Sequence, residues 1–316
     1  MSEKKPLVVL TGPTAVGKTN LSILLAKKIG GEIISADSMQ VYKGMDIGSA
    51  KIMPHEMQGV PHHLIDVLEP SEDFNVVLFQ KLCKRAMDEI YERGHIPILT
   101  GGTGFYIQAV LKDIDFTDND EDTTYRHSLE ELAKEKGAEY LHGMLAAVDE
   151  KAAQEIHANN IKRVIRALEF YHQTGKKISE HNESEGSKEW AYNTCYFVLN
   201  DERSAIYSRI DKRVDIMIAN GLIEEVKRLV EKGYTRDMVA MQGLGYKEIV
   251  DYLNGEISLE EAIYIIKRDT RHFAKRQLTW FKREPEVVWL DKTVLTDDNK
   301  LLDHMCEVMK EKGIIK

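Results

Sequence analysis

The stretch that decides the fold is Gly12-Pro13-Thr14-Ala15-Val16-Gly17-Lys18-Thr19, which fits the pattern G-x-x-x-x-G-K-T without departure. Apolar residues 7–10 precede it, and leucines at helical spacing follow it at positions 21, 24 and 25. In this order of strand, turn and helix, backbone N–H groups form a concave anion site at the positive end of the helix. Lys18 adds a mobile charge, and the Thr19 hydroxyl can ligate Mg²⁺. The stretch therefore predicts a binding site for a di- or triphosphate.

The overall composition is that of a soluble globular protein. Of the 316 residues, 43% are hydrophobic and 30% are charged, which suits one large domain or two modest ones. The net charge of −9 argues against a surface that binds nucleic acid generally, although it permits a local basic patch. Cys83, Cys195 and Cys306 lie too far apart for a zinc module and suit a reducing compartment. No apolar run approaches a membrane span, so we expect a cytoplasmic protein without membrane contact.

A second short strand, residues 31–36, is followed by Asp37. Ligands of α/β sheets bind beyond the carboxyl ends of the strands, so we expect Asp37 to share a crevice with the phosphate loop. Residues 38–51 have neither helical nor strand periodicity and are interpreted as a functional loop. His62 and His63 belong to a third short strand, residues 61–66. Because consecutive side chains diverge and no third ligand is evident, we favour hydrogen-bonding roles for them over metal binding.

A helix is predicted over 74–93 and a buried strand over 96–100, followed by Gly101-Gly102-Thr103. In a P-loop NTPase this strand would normally end on the aspartate that helps to hold Mg²⁺. Its absence makes a hydrolysing motor or switch a poor interpretation. A P-loop small-molecule or nucleotide kinase stays open.

A change of character begins near residue 115, where helical patterns rich in Ala, Glu and Lys replace strands until 194–199. We therefore predict an α/β fold, in which a P-loop NTPase-like core of parallel strands flanked by helices comprises residues 1–114 and 191–316. Residues 115–190 form an all-helical insertion domain. Arg163 and Arg166 lie three positions apart on one of its helices. That face is interpreted either as a solvated surface or as an RNA contact.

One long amphipathic helix is predicted over 206–232, with Arg209 and Arg213 four positions apart. These arginines are interpreted either as a clamp on a diphosphate or as a salt-bridged helix surface. A glycine-rich loop is predicted over 241–247, a last long helix over 258–283 and a final strand over 287–290.

A local basic stripe occupies residues 267–283, where the charge of the lysines, arginines and Asp269 sums to +6. Aromatic residues and His272 are interleaved with these charges. Basic and aromatic side chains on one helix are typical of a nucleic-acid contact, although a basic helix packed on an acidic protein would look similar. A kinase would leave this stripe unused, whereas a group transferase acting on RNA would use it together with the phosphate loop and Asp37.

Eight motifs in fixed order carry a family resemblance: GPTAVGKT at 12–19, SADSMQVYKGMDIGSAK at 35–51, PHHLID at 61–66, GGTGFY at 101–106, RVIRALE at 163–169, IDKR at 210–213, GLGYKE at 243–248 and RQLTWFKR at 276–283. In these the chain resembles the tRNA dimethylallyltransferases of bacterial type over nearly its whole length. The resemblance implies transfer of a dimethylallyl group from dimethylallyl diphosphate to N6 of the adenine just 3′ of the anticodon, in tRNAs that read codons beginning with U. It also implies a requirement for Mg²⁺, the anticodon stem-loop as RNA partner, and a monomer without an obligate protein partner.

The resemblance also implies roles for individual residues. The diphosphate, rather than ATP, would bind to the whole stretch from Gly12 to Thr19 and to Arg213, and Thr19 would hold the metal. Asp37 would be the general base, supported in catalysis by Lys18, Thr19, Arg213 and Thr103. Contacts with the tRNA are implied for Asp37, Ser38, Met39, Gln40, Thr103, Arg126, Lys162, Arg163, Arg166, Gln242, Gly243, Gly245, Tyr246, Lys275, Arg276, Gln277, Trp280 and Lys282.

Three positions depart from the usual family pattern, and none touches the implied chemistry. Ser49 replaces threonine and keeps a hydroxyl group, and Phe105 replaces leucine and stays apolar. Lys282 replaces arginine and keeps its charge, but it loses the bidentate grip on a phosphate. The chain ends too soon for the zinc-finger tail that eukaryotic relatives add, so we expect a bacterial-type enzyme. A non-catalytic RNA-binding protein that uses the phosphate loop as a nucleotide sensor is the remaining alternative.

Overall fold

The computed structural model describes residues 4–116 and 124–316 and divides into two compact units. One unit comprises the described residues up to Leu111 together with Trp190–Lys316, and the other comprises Lys112–Glu189. Residues 117–123 of the predicted insertion domain lie outside the described ranges.

The first unit is built on a six-stranded parallel sheet with the strand order β3-β2-β4-β1-β5-β6. The strands are β1 (Pro6–Thr11), β2 (Gly31–Ala36), β3 (His62–His63), β4 (Ile96–Gly101), β5 (Asn193–Asn200) and β6 (Val287–Asp291). All neighbours are parallel, so every strand ends at the same edge of the sheet. The predicted fold class is confirmed, although the third strand covers two residues rather than six.

Alternate residues of the strands face two separate apolar cores. Leu7, Val9 and Ile34 belong to one core, whereas Val8 and Ile33 belong to the other. This period of two follows from the strand geometry, and burial on both faces is why β1 is almost wholly apolar. Three helices lie between the strands of the first half: α1 (Lys18–Ile29), α2 (Val76–Glu92) and α3 (Gly104–Leu111).

The second unit is helical in its described part and has its own core. It contains α4 (Thr124–Lys136), α5 (Ala138–Val148), α6 (Glu150–Glu155), α7 (Ile161–Thr174) and α8 (Ile178–Ser187). Leu129, Leu141, Leu145 and Leu168 pack together in that core. Buried Asp149 caps α6 by accepting from the Ala152 N–H and is bonded to Ser179, which ties α6 to α8.

The chain then returns to the sheet unit and adds α9 (Arg203–Ala219), α10 (Leu222–Glu231), a 3₁₀ turn (Ala240–Gln242), α11 (Tyr246–Leu253), α12 (Leu259–Phe281) and α13 (Asp298–Glu311). The prediction of one helix over 206–232 is wrong, because Gly221 separates α9 from α10 with a φ of 95°. This left-handed conformation interrupts a helix and favours glycine. The predicted loop over 241–247 is also too long, since α11 already begins at Tyr246. Among the described residues, no helix combines the length and apolar character needed to cross a membrane.

Candidate active site

The phosphate loop joins β1 to α1, and its backbone has the shape that the sequence predicts. Gly12 and Gly17 have φ values of 145° and 103°, and Ala15 also has a positive φ of 62°. A Cβ atom on Gly12 would lie 2.3 Å from the carbonyl oxygen of Leu199, so the close approach to β5 requires glycine. Because these positions need left-handed backbone or space that only glycine leaves, the loop's curvature is fixed mainly by its own residues.

Lys18 lies over this loop, and its ammonium group makes two hydrogen bonds to the loop backbone. Its Nζ donates to the carbonyl oxygens of Gly12 and Pro13 at 2.9 and 2.8 Å. Burial lowers the pKa of Lys18 to about 7, with Asp37 opposing this shift and Arg213 adding to it. An ammonium group has three donors, so one remains for a ligand.

Arg209 and Arg213 of α9, which the sequence presents as a pair, have different contacts. Arg209 donates through Nε to the carbonyl oxygen of Ala15 at 2.8 Å and pairs with Asp201 at 2.7 Å, so it holds the phosphate loop. Arg213, about one turn further along, lines the cleft beside the loop. Its guanidinium group makes no hydrogen bond or ion pair with any other residue of the described ranges. Desolvation, and secondarily Arg209, lowers the pKa of Arg213, but an arginine keeps its charge at neutral pH.

Asp37 follows β2 and faces the same cleft as Lys18, Thr19 and Arg213. Its Oδ1 accepts from the N–H groups of Met39 and Gln40 at 2.8 and 3.3 Å, which makes an Asx-type turn. Burial raises the pKa of Asp37, while these two hydrogen bonds and Lys18 act in the opposite direction. A carboxylate with a raised pKa at a cleft wall is suited to accept a proton. The structure thus brings together the two features that the sequence placed in one crevice.

The side chains of Thr19 and Thr100 also line the cleft. Thr19 is exposed at the start of α1, and its hydroxyl makes no hydrogen bond to the described residues. Thr100, at the end of β4, stands where a P-loop NTPase would carry its metal-binding aspartate, and its Oγ1 is buried without a partner in the described part of the chain. Thr103 lies just beyond, with its N–H donating to the Ala36 carbonyl oxygen at 3.3 Å.

Gln277 and Trp280 of α12 point inward. The Gln277 side chain accepts from the Thr14 N–H and donates to the Gly102 carbonyl oxygen, both at 2.9 Å. Buried Gln277 therefore joins the phosphate loop to the turn after β4. The ring of Trp280 packs on Gly104, where a Cβ atom would lie 2.2 Å from Trp280 Cδ1. The partners of Gln277 are two backbone groups far away in the chain, so this bridge could not be predicted from the sequence motif in which Gln277 stands.

The basic stripe of α12 has two different halves. In the first half, Lys267 pairs with Asp215 at 2.6 Å and Arg271 pairs with Asp211 at 2.5 Å, both on α9. In the second half, the exposed cations form no ion pair with any described residue; these are Lys275, Arg276, Lys282 and Arg283. All of these but Lys282 line a groove with His272, Thr279 and Trp280. The interpretation as a helix packed on acidic groups therefore applies to the first half, and a nucleic-acid contact stays a prediction for the second half.

The remaining predicted tRNA contacts differ in exposure. In the helical unit, Lys162 and Arg163 are exposed at the start of α7 and Arg166 is half-buried, whereas Arg126 forms a bidentate pair with buried Glu169 at 2.9 Å. In the sheet unit, Gln242 is exposed, but Gly245 and Tyr246 are buried. Ser38, Met39 and Gln40 are half-buried beside Asp37.

The adjacent histidines have the hydrogen-bonding roles favoured from the sequence. His63 contacts Glu32 at 2.7 Å, and Glu32 also binds Arg93 and His95. Arg93 is the main cause that lowers the pKa of Glu32 to about 2. His62 contacts the carbonyl oxygen of Val60 at 2.8 Å and reaches the cleft wall. Within the described ranges, no three His, Cys, Asp or Glu side chains form a cluster that could hold a metal ion.

Comparisons with known proteins point to one family. A family model described as IPP transferase matches residues 40–284. A tRNA dimethylallyltransferase from Lachnoclostridium phytofermentans is 61% identical over 312 residues, which cover 99% of this chain and 100% of the relative. The corresponding enzyme of Geobacillus thermodenitrificans is 53% identical and covers 98% of this chain and 96% of its own length.

Solved structures agree with the sequence relatives. The tRNA delta(2)-isopentenylpyrophosphate transferase of Staphylococcus epidermidis has a TM-score of 0.72 at 43% identity, covering 98% of this chain and 100% of that one. A eukaryotic dimethylallyltransferase acting on tRNA has a TM-score of 0.83 at 30% identity, covering 98% of this chain and 79% of that one.

Proposed function

Because the chain belongs to the IPP transferase family, we propose that it transfers a dimethylallyl group from dimethylallyl diphosphate to N6 of the adenine just 3′ of the anticodon. Its substrates are tRNAs that read codons beginning with U, and diphosphate is released. The observation that carries the proposal is the cleft, where Asp37 shares one space with Lys18, Thr19 and Arg213. Transfer from an allylic diphosphate to an amine needs a proton acceptor beside an anion site, and the cleft combines the two.

The phosphate loop binds the diphosphate of the prenyl donor. Departure of this group builds negative charge on oxygen, and the loop amides, Lys18 and Arg213 lie around that position. Lys18 keeps its hydrogen bonds to Gly12 and Pro13 and uses its third donor for the ligand. Arg209 contributes indirectly, because it holds the Ala15 carbonyl group and so the shape of the loop.

Asp37 acts as the general base. The exocyclic amine of adenine is a weak nucleophile, because its lone pair is delocalised into the ring. A carboxylate within hydrogen-bond reach of N6–H takes the proton as the new C–N bond forms, which contributes on the order of 10²–10⁴ in rate. Asp37 Oδ1 is occupied by Met39 and Gln40, and Oδ2 makes no hydrogen bond to the described residues, so Oδ2 is the acceptor.

Prenyl-diphosphate transferases use a divalent metal, and we propose Mg²⁺ here. The exposed Thr19 hydroxyl and the buried, unpartnered Thr100 Oγ1 are oxygen groups at the loop, which suit this hard cation. Mg²⁺ commonly binds through substrate phosphates and water with few protein ligands, so the absence of a carboxylate cluster in the described residues fits. Thr19 would hold the ion, which would neutralise charge on the leaving diphosphate.

The tRNA contacts are proposed for exposed cations and for residues near Asp37. In the sheet unit these are Lys275, Arg276 and Lys282, with Ser38, Met39 and Gln40 around the target base. In the helical unit they are Lys162 and Arg163. Bringing a stacked base to an active site costs a few kcal/mol, which contacts with phosphates and bases must offset.

Every group of the proposed chemistry comes from one chain, so we propose a monomer, located in the cytoplasm with its tRNA substrate.

The test is incubation of the purified protein with dimethylallyl diphosphate, Mg²⁺ and unmodified tRNA, followed by mass analysis of the tRNA nucleosides. A prenylated adenosine that is absent when the diphosphate is omitted is the expected result. A parallel reaction with ATP and candidate small acceptors covers the kinase alternative. Phosphorylation of such an acceptor, without prenylated adenosine, would overturn the proposal.

A further inference from the structure

The segment that carries the proposed base, residues 37–51, is irregular, yet a buried charge from another element fixes its shape. Glu225 on α10 is 3% exposed. Its Oε2 accepts from the N–H groups of Asp46 and Ile47 at 3.0 and 2.8 Å. Its Oε1 accepts from the Gly48 N–H at 3.1 Å and from the Tyr246 hydroxyl at 2.8 Å. One carboxylate thus satisfies three consecutive backbone amides of this segment.

Close packing adds to these hydrogen bonds at two glycines. A Cβ atom on Gly48 would lie 2.6 Å from the Tyr246 ring, so Tyr246 covers the backbone at that point. A Cβ atom on Gly243 would lie 2.4 Å from Cε of Met39. The glycine-rich turn therefore contacts the side chain of Met39, whose N–H donates to Asp37. Tyr246 and Gly243 therefore both contact this segment.

A second buried charge holds the same bend from inside. Lys51 Nζ donates to the Tyr42 carbonyl oxygen at 2.6 Å, to Asp46 at 2.7 Å and to Asp66 at 2.5 Å. Asp46 is thus held twice, through its N–H by Glu225 and through its carboxylate by Lys51. The phosphate loop depends on other partners, namely Arg209 and Gln277.

We propose that Glu225 is the positioning residue for the target adenine, because it fixes residues 46–48 and so the segment from which Asp37 and Gln40 reach the cleft. This inference rests on the proposed function for the identity of the base. Buried amides that lose a charged acceptor are costly to leave unpaired, so the segment shifts or loosens when the carboxylate is removed. Removal of the carboxylate should affect Asp37 and the binding of the RNA only, since the diphosphate is bound by a loop that Glu225 does not touch.

The test compares Glu225→Gln with Glu224→Gln, the same change one position earlier on an exposed side chain. For Glu225→Gln we expect kcat to fall and the KM for tRNA to rise, each by roughly tenfold, with the dissociation constant of dimethylallyl diphosphate within about twofold of wild type. Glu224→Gln should match wild type. Tyr246→Phe removes one hydrogen bond and keeps the ring on Gly48, so it should shift the same two constants in the same direction by a smaller factor and carries the test if Glu225→Gln does not fold.

Amide hydrogen exchange supplies a readout without turnover. Exchange over residues 38–48 should be faster in Glu225→Gln than in wild type, with exchange over 12–18 unchanged. Equal exchange over 38–48 would overturn the positioning role, and so would a loss of diphosphate affinity as large as the loss of transfer. An inactive wild type would refute the proposed function, whereas the exchange experiment would still decide the role of Glu225.

Discussion

At one end of the cleft, which we call the phosphate end, most of the proposed binding groups come from the eight consecutive residues 12–19, and Arg213 joins them from α9. At the other, the base end, Asp37 belongs to a segment whose backbone amides bond to Glu225, up to 179 positions away. The phosphate end owes its curvature to glycine conformations within the loop, with Arg209 and Gln277 as supports. The base end has bonds within its own segment, from the Asp37 turn and from Lys51, but the amides of residues 46–48 bond to Glu225 on α10.

The difference teaches that the two ends of one cleft can have separate tasks. One end supplies affinity for the diphosphate, and the other supplies the geometry in which the adenine amine meets the carboxylate. A diphosphate is recognised by charge and by backbone N–H groups, which a short motif can supply alone. An adenine amine must be held near one carboxylate oxygen, and small displacements there are costly to the rate. Substitutions at the two ends should therefore leave different kinetic signatures.

The largest effect is expected for Asp37→Asn at the base end. This change removes the proton acceptor and keeps the size of the side chain, so kcat should fall by about 10²–10⁴. The affinities for dimethylallyl diphosphate and for tRNA should stay within about threefold of wild type. Single-turnover transfer and filter binding measure these quantities, and Asp73→Asn, an exposed carboxylate, is the control. Equal losses of transfer and of diphosphate binding would remove the distinction between the two ends.

At the phosphate end, Lys18→Met should weaken the binding of dimethylallyl diphosphate. We expect the affinity for dimethylallyl diphosphate to fall by about tenfold to hundredfold below pH 7, with tRNA affinity unchanged. Because the pKa of Lys18 is lowered to about 7, the free enzyme loses this charge as the pH rises through that value. The ratio of wild-type to variant affinity should therefore decline from pH 6 to pH 8.5, and taking a ratio cancels titration of the ligand.

Exposed Lys27 of the same helix provides the control for Lys18. Lys27→Met should retain the wild-type affinity at each pH. A Lys18 ratio that is constant over this range would contradict a neutral Lys18 in the free enzyme at high pH.

Gln277→Leu should affect the phosphate end without touching a ligand. It leaves the Thr14 N–H and the Gly102 carbonyl group without their partner, which should weaken diphosphate binding by roughly tenfold. Gln277→Glu keeps an acceptor for Thr14, but it places a buried carboxylate against the Gly102 carbonyl oxygen and beside the anion site, so its loss of diphosphate affinity should be larger. Isothermal titration with dimethylallyl diphosphate distinguishes the two variants. If diphosphate binding is intact in Gln277→Leu, the loop keeps its shape without this support.

The smallest effects are expected for the exposed cations of α12. Lys275→Ala and Arg276→Ala should each weaken tRNA binding by a few-fold and reduce the slope of log affinity against log salt by about 1. Lys267→Ala is the matched control, because Lys267 is already paired with Asp215. Filter binding at 50–300 mM salt gives the slopes. Equal slopes for Lys267→Ala and Lys275→Ala would show that ion pairing does not separate the two halves of this helix.

Much of the fold and the family prediction are confirmed, because their signals are local. The phosphate loop, the buried strands and the position of Asp37 follow from glycine placement and apolar periodicity. Helix ends were less predictable, since Gly221 could have been tolerated inside one long helix, and only its left-handed backbone reveals the break.

Contacts between distant segments could not be predicted. Arg209 and Arg213 look equivalent in the sequence, yet one bonds a loop carbonyl group and the other faces the cleft. Tyr246 and Gln277 stand in motifs that suggested RNA contacts, and their burial depends on partners far along the chain. The signal for such a role is a polar residue on the apolar face of a helix, as Glu225 is on α10 and Gln277 is on α12.

Arg209 bonds to Ala15, and Arg213 faces the cleft. Their positions on one helix limit where residues can be inserted or deleted. The two arginines lie four positions apart on α9, a little over one helical turn. The helix therefore fixes the distance and the angle between the side chain that holds the loop and the side chain that faces the cleft. One residue inserted or deleted between them would rotate Arg213 by about 100° relative to Arg209. Insertions and deletions should therefore be tolerated around Gly221 and selected against between positions 209 and 213.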